Sequence, residues 1–253
     1  MLGKLLKYEF KATSKTFIPV YAGFLLSSLM MALFTKMNVD SIALNILMVV
    51  FSLVYLLLTF AVTFIPIFGS LQRFNKNLLG EEGYLTNTLP ASTNQLLLAK
   101  VFPAIVWMII SIAASIASQW IMLATAGETD MAMNMYSDII NQIFDFFKND
   151  PFLGILIIVY ILTLFIGILF TVYSSVCLGH LSNAKRGLKS FLWFLVLALV
   201  VALIFGIFMD ILDGMVISEE TTVFSILIGI NVVFISAMYF LMHTILSKKL
   251  NLE

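Results

Sequence analysis

Charge is scarce in this chain: 11% of residues are charged and 61% are hydrophobic. Soluble domains carry roughly 25% charged and 45–50% apolar residues, so an ordinary soluble globular class is excluded. None of the Asp, Glu, Lys or Arg residues falls in the middle of a long apolar run. A charge at the bilayer centre costs about 2.5–3.5 kcal/mol on insertion scales, and chains that bear such a charge generally use it. Its absence argues against a proton- or sodium-coupled carrier and against a voltage sensor. Cysteine is nearly absent: Cys177 stands alone, which excludes an intrachain disulfide framework. The only histidines, His180 and His243, lie on different segments and neither is followed by Glu. An HExxH zinc site, which needs two imidazoles one helical turn apart, is therefore missing. No GxSxG elbow occurs either. Ser174 and Ser175 are expected to bond the backbone of their own or a neighbouring helix, and Cys177 to pack as a small side chain. An intramembrane enzyme is thus disfavoured. No GxxxxGK[ST] loop is present, so the chain cannot cradle nucleotide phosphates itself.

What is present is six apolar runs, each long enough to cross a bilayer as a helix of ~20 residues. They fall at about residues 17–35, 42–68, 101–126, 152–179, 190–209 and 221–246. The expected fold is an all-α polytopic membrane protein forming a single transmembrane domain over residues 1–253. The second run is long enough to tilt or to emerge from the membrane as a helix. Pro103 and Pro151 sit near the starts of their spans, where proline is tolerated. Ser218 followed by Glu219 and Glu220 supplies a cap and negative charge at the start of the sixth. No small-x-small cleavage site follows the first run, which reads as an uncleaved signal-anchor.

Charge sorts by side once the spans are drawn. Lys4, Lys7, Lys11, Lys15, Arg73, Lys76, Lys100, Lys185, Arg186, Lys189, Lys248 and Lys249 share one face, and only Lys36 and Lys148 lie on the other. That other face holds Asp40, Glu128, Asp130, Asp138, Asp145, Asp150, Asp210, Asp213, Glu219 and Glu220. Twelve cations against four acids, and two against ten, make the faces about +8 and −8. Short exported loops exclude Lys and Arg, so the basic face is expected inside. Both termini are then cytoplasmic, which an even number of spans satisfies. Sorting of this kind without a presequence fits a bacterial inner or plasma membrane.

Three segments outside the spans are amphipathic. In residues 1–16, Lys4, Lys7, Lys11 and Lys15 gather on one face of a helical wheel, opposite Leu2, Leu6, Phe10, Thr13 and Phe17. This pattern predicts an interfacial helix lying against anionic lipid. In the outer segment 127–150, Asp138, Asn141, Gln142 and Asp145 oppose Tyr136, Ile139, Ile140, Ile143 and Phe147. That spacing predicts a two-sided helix of about four turns, from Met131 to Lys148. It either covers the outer mouth of a pathway or lies on the outer leaflet; spacing alone leaves both open. The third is the cytoplasmic loop 71–100, where Gly80 and Gly83 break the helix leaving span two and Pro90 ends an apolar patch. Ser92 and Gln95 have the spacing of a capping box that restarts a helix. Apolar residues in such a loop either pack back on the bundle or insert into a partner.

The stretch Gly80-Glu81-Glu82-Gly83-Tyr84-Leu85-Thr86-Asn87-Thr88-Leu89-Pro90 resembles the signature cytoplasmic loop of Firmicute ABC-2-type transporter permeases. The opening Lys4-Leu5-Leu6-Lys7-Tyr8-Glu9-Phe10-Lys11-Ala12-Thr13 is similar to the amino-terminal segment of the same group. Within it, the chain is similar to permeases that export amphipathic or antimicrobial peptides, among them phenol-soluble modulin exporters. The resemblance implies a half-transporter that pairs with a second copy or a related permease. Each half docks one separate ATP-binding subunit, which carries the ATP and Mg; this chain carries no cofactor. It also implies a coupling helix in the loop between spans two and three, with Leu78, Glu81, Glu82, Tyr84 and Leu85 as the ATPase contacts. The amino-terminal helix corresponds to the family's elbow helix. Lys185, Arg186 and Lys189, in the short second cytoplasmic loop, are placed to touch the ATPase or lipid. The implied substrate is hydrophobic or amphipathic, a peptide in the nearest members, and no nucleic acid is expected as a partner. The competing reading is a membrane channel or scaffold without an ATPase.

Polar residues inside the spans are few. Asn45, Gln119 and Asn231 fall in outer halves, where they either bond between helices or line an exit path. Trp107 and Trp193 near inner span ends, and Trp120 near an outer end, are expected as belt anchors.

Overall fold

The computed structural model describes residues 1–36, 42–80, 83, 90–126, 129–182, 185–214 and 220–248. Their order is α1 (Leu2–Lys36), α2 (Ile42–Phe74), a π-helical turn (Asn75–Leu79), α3 (Thr93–Ala126), α4 (Thr129–Asn149), α5 (Pro151–His180), α6 (Arg186–Gly214) and α7 (Glu220–Lys248). No strand occurs among the described residues. Hydrocarbon offers no hydrogen-bond partners, and a helix satisfies its backbone polar groups within one segment. All of these α-helices except α4 are long and apolar enough to cross a membrane. The protein is therefore an all-helical chain with six membrane-spanning candidates, as the apolar runs predict.

The helices outrun the apolar runs at the basic ends. The 35-residue α1 is about 52 Å long at 1.5 Å per residue, against a hydrocarbon core of ~30 Å. The amphipathic segment and the first span form one uninterrupted helix, with Pro19 inside it. Lys4, Lys7, Lys11 and Lys15 are all exposed, whereas Glu9, Thr13 and Phe17 on the opposite face are buried. Helix α2 continues past residue 68 to Phe74, and α3 begins at Thr93, eight residues before the apolar run. Helix α4 is 21 residues, longer than the four turns expected.

The chain forms two compact units. One comprises Gly3–Ser70 with Phe102–Phe144, the other Met1–Leu2, Leu71–Val101 and Asp145–Glu253. The core of the first gathers Phe17, Tyr21 and Phe24 of α1, Val62 of α2, and Trp107 and Ala114 of α3. On α1 the buried residues Thr13, Phe17, Tyr21, Phe24 and Ser28 recur every three or four positions. Trp107, Ser111, Ala114 and Ser118 do so on α3. Small residues in this stripe let helix backbones approach. Gly69 of α2 does the same for an aromatic ring: a Cβ there would lie 2.6 Å from the Phe17 ring.

In the second unit, α5 is the central helix, packed by both α6 and α7. Its run from Leu169 to Cys177 is buried on all sides. Ser174 reaches the Met238 carbonyl of α7 at 3.5 Å, and Phe170 lies against Tyr239. Gly179 permits the closest approach: a Cβ there would meet the Ser190 hydroxyl and lie 2.6 Å from the Ser190 backbone nitrogen. The α5–α6 connection is correspondingly tight. Lys185 adopts φ 53°, and Lys189 donates both to the Lys185 carbonyl and to the Ser182 hydroxyl.

Candidate coupling site

The segment after span two is where sequence and structure converge on a candidate site. Helix α2 ends in the π-helical turn Asn75–Leu79, and Gly80 stops it in extended conformation at φ −95°, ψ −157°. The Gly80 N–H donates to the Asn75 carbonyl at 2.7 Å, closing the wide turn. An α-helical step of about 100° would set Leu79 roughly 140° round the axis from Phe74. The wider π turn shortens that angle, and Phe74, Leu78 and Leu79 are all buried. Gly80 itself leaves little room, since a Cβ would lie 3.1 Å from the Lys76 carbonyl oxygen.

The turn is pinned from the side by aromatic stacking. Phe74 lies on Tyr173 of α5, with ring centroids 4.3 Å apart and planes within 5°. Both rings are fully buried. The far end of the loop is fixed by the expected cap: the Gln95 N–H donates to the Ser92 hydroxyl at 3.3 Å and the Leu96 N–H to the Ser92 carbonyl at 3.1 Å. Behind it, Leu96, Leu97, Lys100 and Val101 are buried. The loop thus leaves and re-enters on two anchored helix ends, twelve positions apart from Gly80 to Ser92. Gly83 is buried and donates to the Gly80 carbonyl at 2.8 Å.

Of the expected ATPase contacts, Leu78 is 1% exposed. Its side chain is covered by the chain itself, so within this fold it anchors the loop rather than presenting a surface. Glu81, Glu82, Tyr84 and Leu85 lie outside the described residues. Lys185, Arg186 and Lys189 are exposed at the α5–α6 turn.

The remaining sequence-selected residues are scattered. Asn45 and Gln119 are exposed, and Asn231 donates to the Leu227 carbonyl of its own helix at 3.2 Å. That bond is intrahelical, not the link between helices weighed from the sequence. Ser175 bonds Val172 within α5, and His180 pairs through Nδ1 with the Val176 carbonyl at 2.9 Å. Cys177 is fully buried. Among the described residues, no three His, Cys, Asp or Glu side chains converge as metal ligands would. A shallow cleft of about 420 Å³ opens between α5 and α7, lined by Phe152, Thr221, Thr222, Ser225 and Ile226.

One expectation is corrected. Trp107 is not an interfacial belt residue; it is 6% exposed, at the centre of the first unit. Its indole N–H donates to the Thr13 hydroxyl at 2.8 Å, and that hydroxyl donates to the Glu9 carbonyl at 2.9 Å. Tyr21 stacks on the indole with centroids 5.9 Å apart, shares a 2.8 Å hydrogen bond with Ser111 and donates to the Trp107 carbonyl. Phe17 meets the same ring edge-on at 5.1 Å. The 3–4 spacing of Thr13, Phe17, Tyr21 and Phe24 was the signal for this network. Trp193, by contrast, is 41% exposed, as a belt residue would be.

The chain matches no protein-family model, no curated protein and no solved structure.

Proposed function

We propose that this chain is the membrane-spanning permease subunit of an ATP-driven ABC exporter, working with a separate ATPase subunit and a second permease copy or relative. The orientation puts the basic face, both termini and the 80–90 loop in the cytoplasm of a bacterial cell. The substrate is a hydrophobic or amphipathic molecule, with peptides as the first class to test. The reading rests on the resemblance of residues 80–90 to the coupling loop of ABC-2-type permeases. The observation that supports it best is the anchoring of that loop: a π turn stacked on α5 at one end and a capped helix start at the other. A load applied to the loop bears on buried side chains, Phe74 and Tyr173 foremost. The missing P-loop motif agrees, because the fuel is then a partner's ATP. The expected elbow is not a separate helix: the basic start of α1 continues span one without a break, and its exposed lysines would meet anionic headgroups where that helix leaves the membrane.

The test is to change the loop and leave the bundle alone. Charge reversal at Glu81 and Glu82, or Tyr84→Ala, is expected to detach the ATPase or to uncouple hydrolysis from transport. Normal co-purification together with normal coupled turnover in those variants would remove the docking assignment.

A further inference from the structure

We propose that α4 is an interfacial anchor, embedded by its apolar arc in the leaflet where α3 ends and α5 begins. Ile139, Ile140, Ile143 and Phe144 share one arc of this helix and are 47%, 39%, 52% and 71% exposed. Asp138, Asn141, Gln142 and Asp145 occupy the opposite arc and are exposed too. Such a stripe on a soluble surface would be an aggregation site, whereas at a bilayer surface it is a binding face.

One contact fixes the carboxyl end of the arc. Phe147 belongs to the apolar arc, and its ring sits where a Cβ of Gly154 would be. Gly154 lies one turn along α5 from Pro151, in a helix that runs on into the bilayer. The Phe147 end of the arc is therefore turned to the first turns of α5. With α4 lying on the surface, the isoleucines and Phe144 of the same arc meet acyl chains while the Asp arc meets water. Connectivity agrees: only Asp150 separates α4 from Pro151, so the carboxyl end of α4 is held at the depth where that span begins. At 21 residues the helix covers about 31 Å along the surface.

Charge selects the lipid. Asp138 and Asp145 lie on the opposite, water-facing arc, with Lys148 as the cation of the last turn. An acidic helix gains nothing from an anionic surface, so α4 fits a zwitterionic interface. The basic side of α1 fits the reverse.

The experiment uses the full chain carrying Cys177→Ala, since that cysteine is buried and the replacement is small. Single cysteines at Ile143, Phe144, Asn141 and Gln142 are labelled with an environment-sensitive fluorophore and reconstituted in phosphatidylcholine vesicles. Labels at 143 and 144 are expected to emit to the blue, to resist iodide several-fold better than those at 141 and 142, and to be quenched by doxyl-labelled acyl chains. Replacing a third of the phosphatidylcholine by phosphatidylglycerol is expected to leave that pattern unchanged or weaken it. Equal iodide quenching at all four positions overturns the proposal. Labels at 143 and 144 that are shielded from both iodide and doxyl lipid also overturn it, and point to a protein-covered lid or a contact with a second copy. Because no ATPase is present, these outcomes are independent of the docking loop.

Discussion

The two units combine polar bonds and close packing in different proportions. In the first, α1 and α3 are joined by side-chain chemistry: an indole, two hydroxyls and two stacked rings, with Tyr55 of α2 adding a 3.0 Å bond to Ser118. In the second, α5 meets its neighbours through near-contact of backbones at Gly179 and of backbone and ring at Gly154, beside a longer 3.5 Å bond from Ser174 to the Met238 carbonyl and the Phe170–Tyr239 ring contact. Both answer the same problem. Lipid tails are as apolar as the helices, so burial alone gives them no reason to associate; hydrogen bonds and close van der Waals packing must do it. Removing one bond leaves the other contacts of the first unit in place, whereas a side chain at Gly179 would meet the Ser190 backbone.

The sharpest break of that contrast is Gly179→Val. Inserted bulk ordinarily costs about 1–3 kcal/mol, but here the obstacle is backbone, which cannot rotate away. Loss of monodisperse protein in detergent is expected; a variant with the wild-type melting temperature would put the α5–α6 contact in doubt. Next in size is Trp107→Ala, which leaves a void and removes the donor to the Thr13 hydroxyl, and is expected to cost about 3–5 kcal/mol in mixed-micelle unfolding. A cost near zero would return Trp107 to the lipid interface. Smallest is the single bond. Thr13→Val and Trp107→Phe in a double-mutant cycle should show a coupling of about 0.6 kcal/mol, and no more than ~1.7, the range seen for hydrogen bonds between membrane helices.

The large features were legible in the sequence because each has a local signature. Six apolar runs, the two-sided pattern of Ile139 to Asp145 and the Ser92 cap all reside within a few turns of chain. Trp107 was not, because its partner Thr13 lies 94 positions away. Hydropathy scores a tryptophan the same whether it faces lipid or a neighbouring helix. The π turn was hidden for a related reason. Asn75 to Leu79 carries no mark of a wide turn; the demand comes from burying Leu79 beside Phe74 and Leu78. Leu78 is a docking residue only by what the resemblance implies, and the fold gives that side chain to the interior. Gly154 and Gly179 showed as glycines in apolar helices, but only the facing ring and serine explain them.

The Phe74–Tyr173 stack and the Ser92 cap hold the two ends of the loop proposed to dock the ATPase, and position 84 is the place to ask what it touches. A photo-crosslinking residue at Tyr84 of the full-length chain, activated in living cells of the native host, gives the most direct reading. The account predicts a single cytoplasmic adduct with an ATP-binding protein that carries the GxxxxGK[ST] loop this chain lacks. Adducts confined to the chain itself, or to proteins on the outer surface, would contradict it.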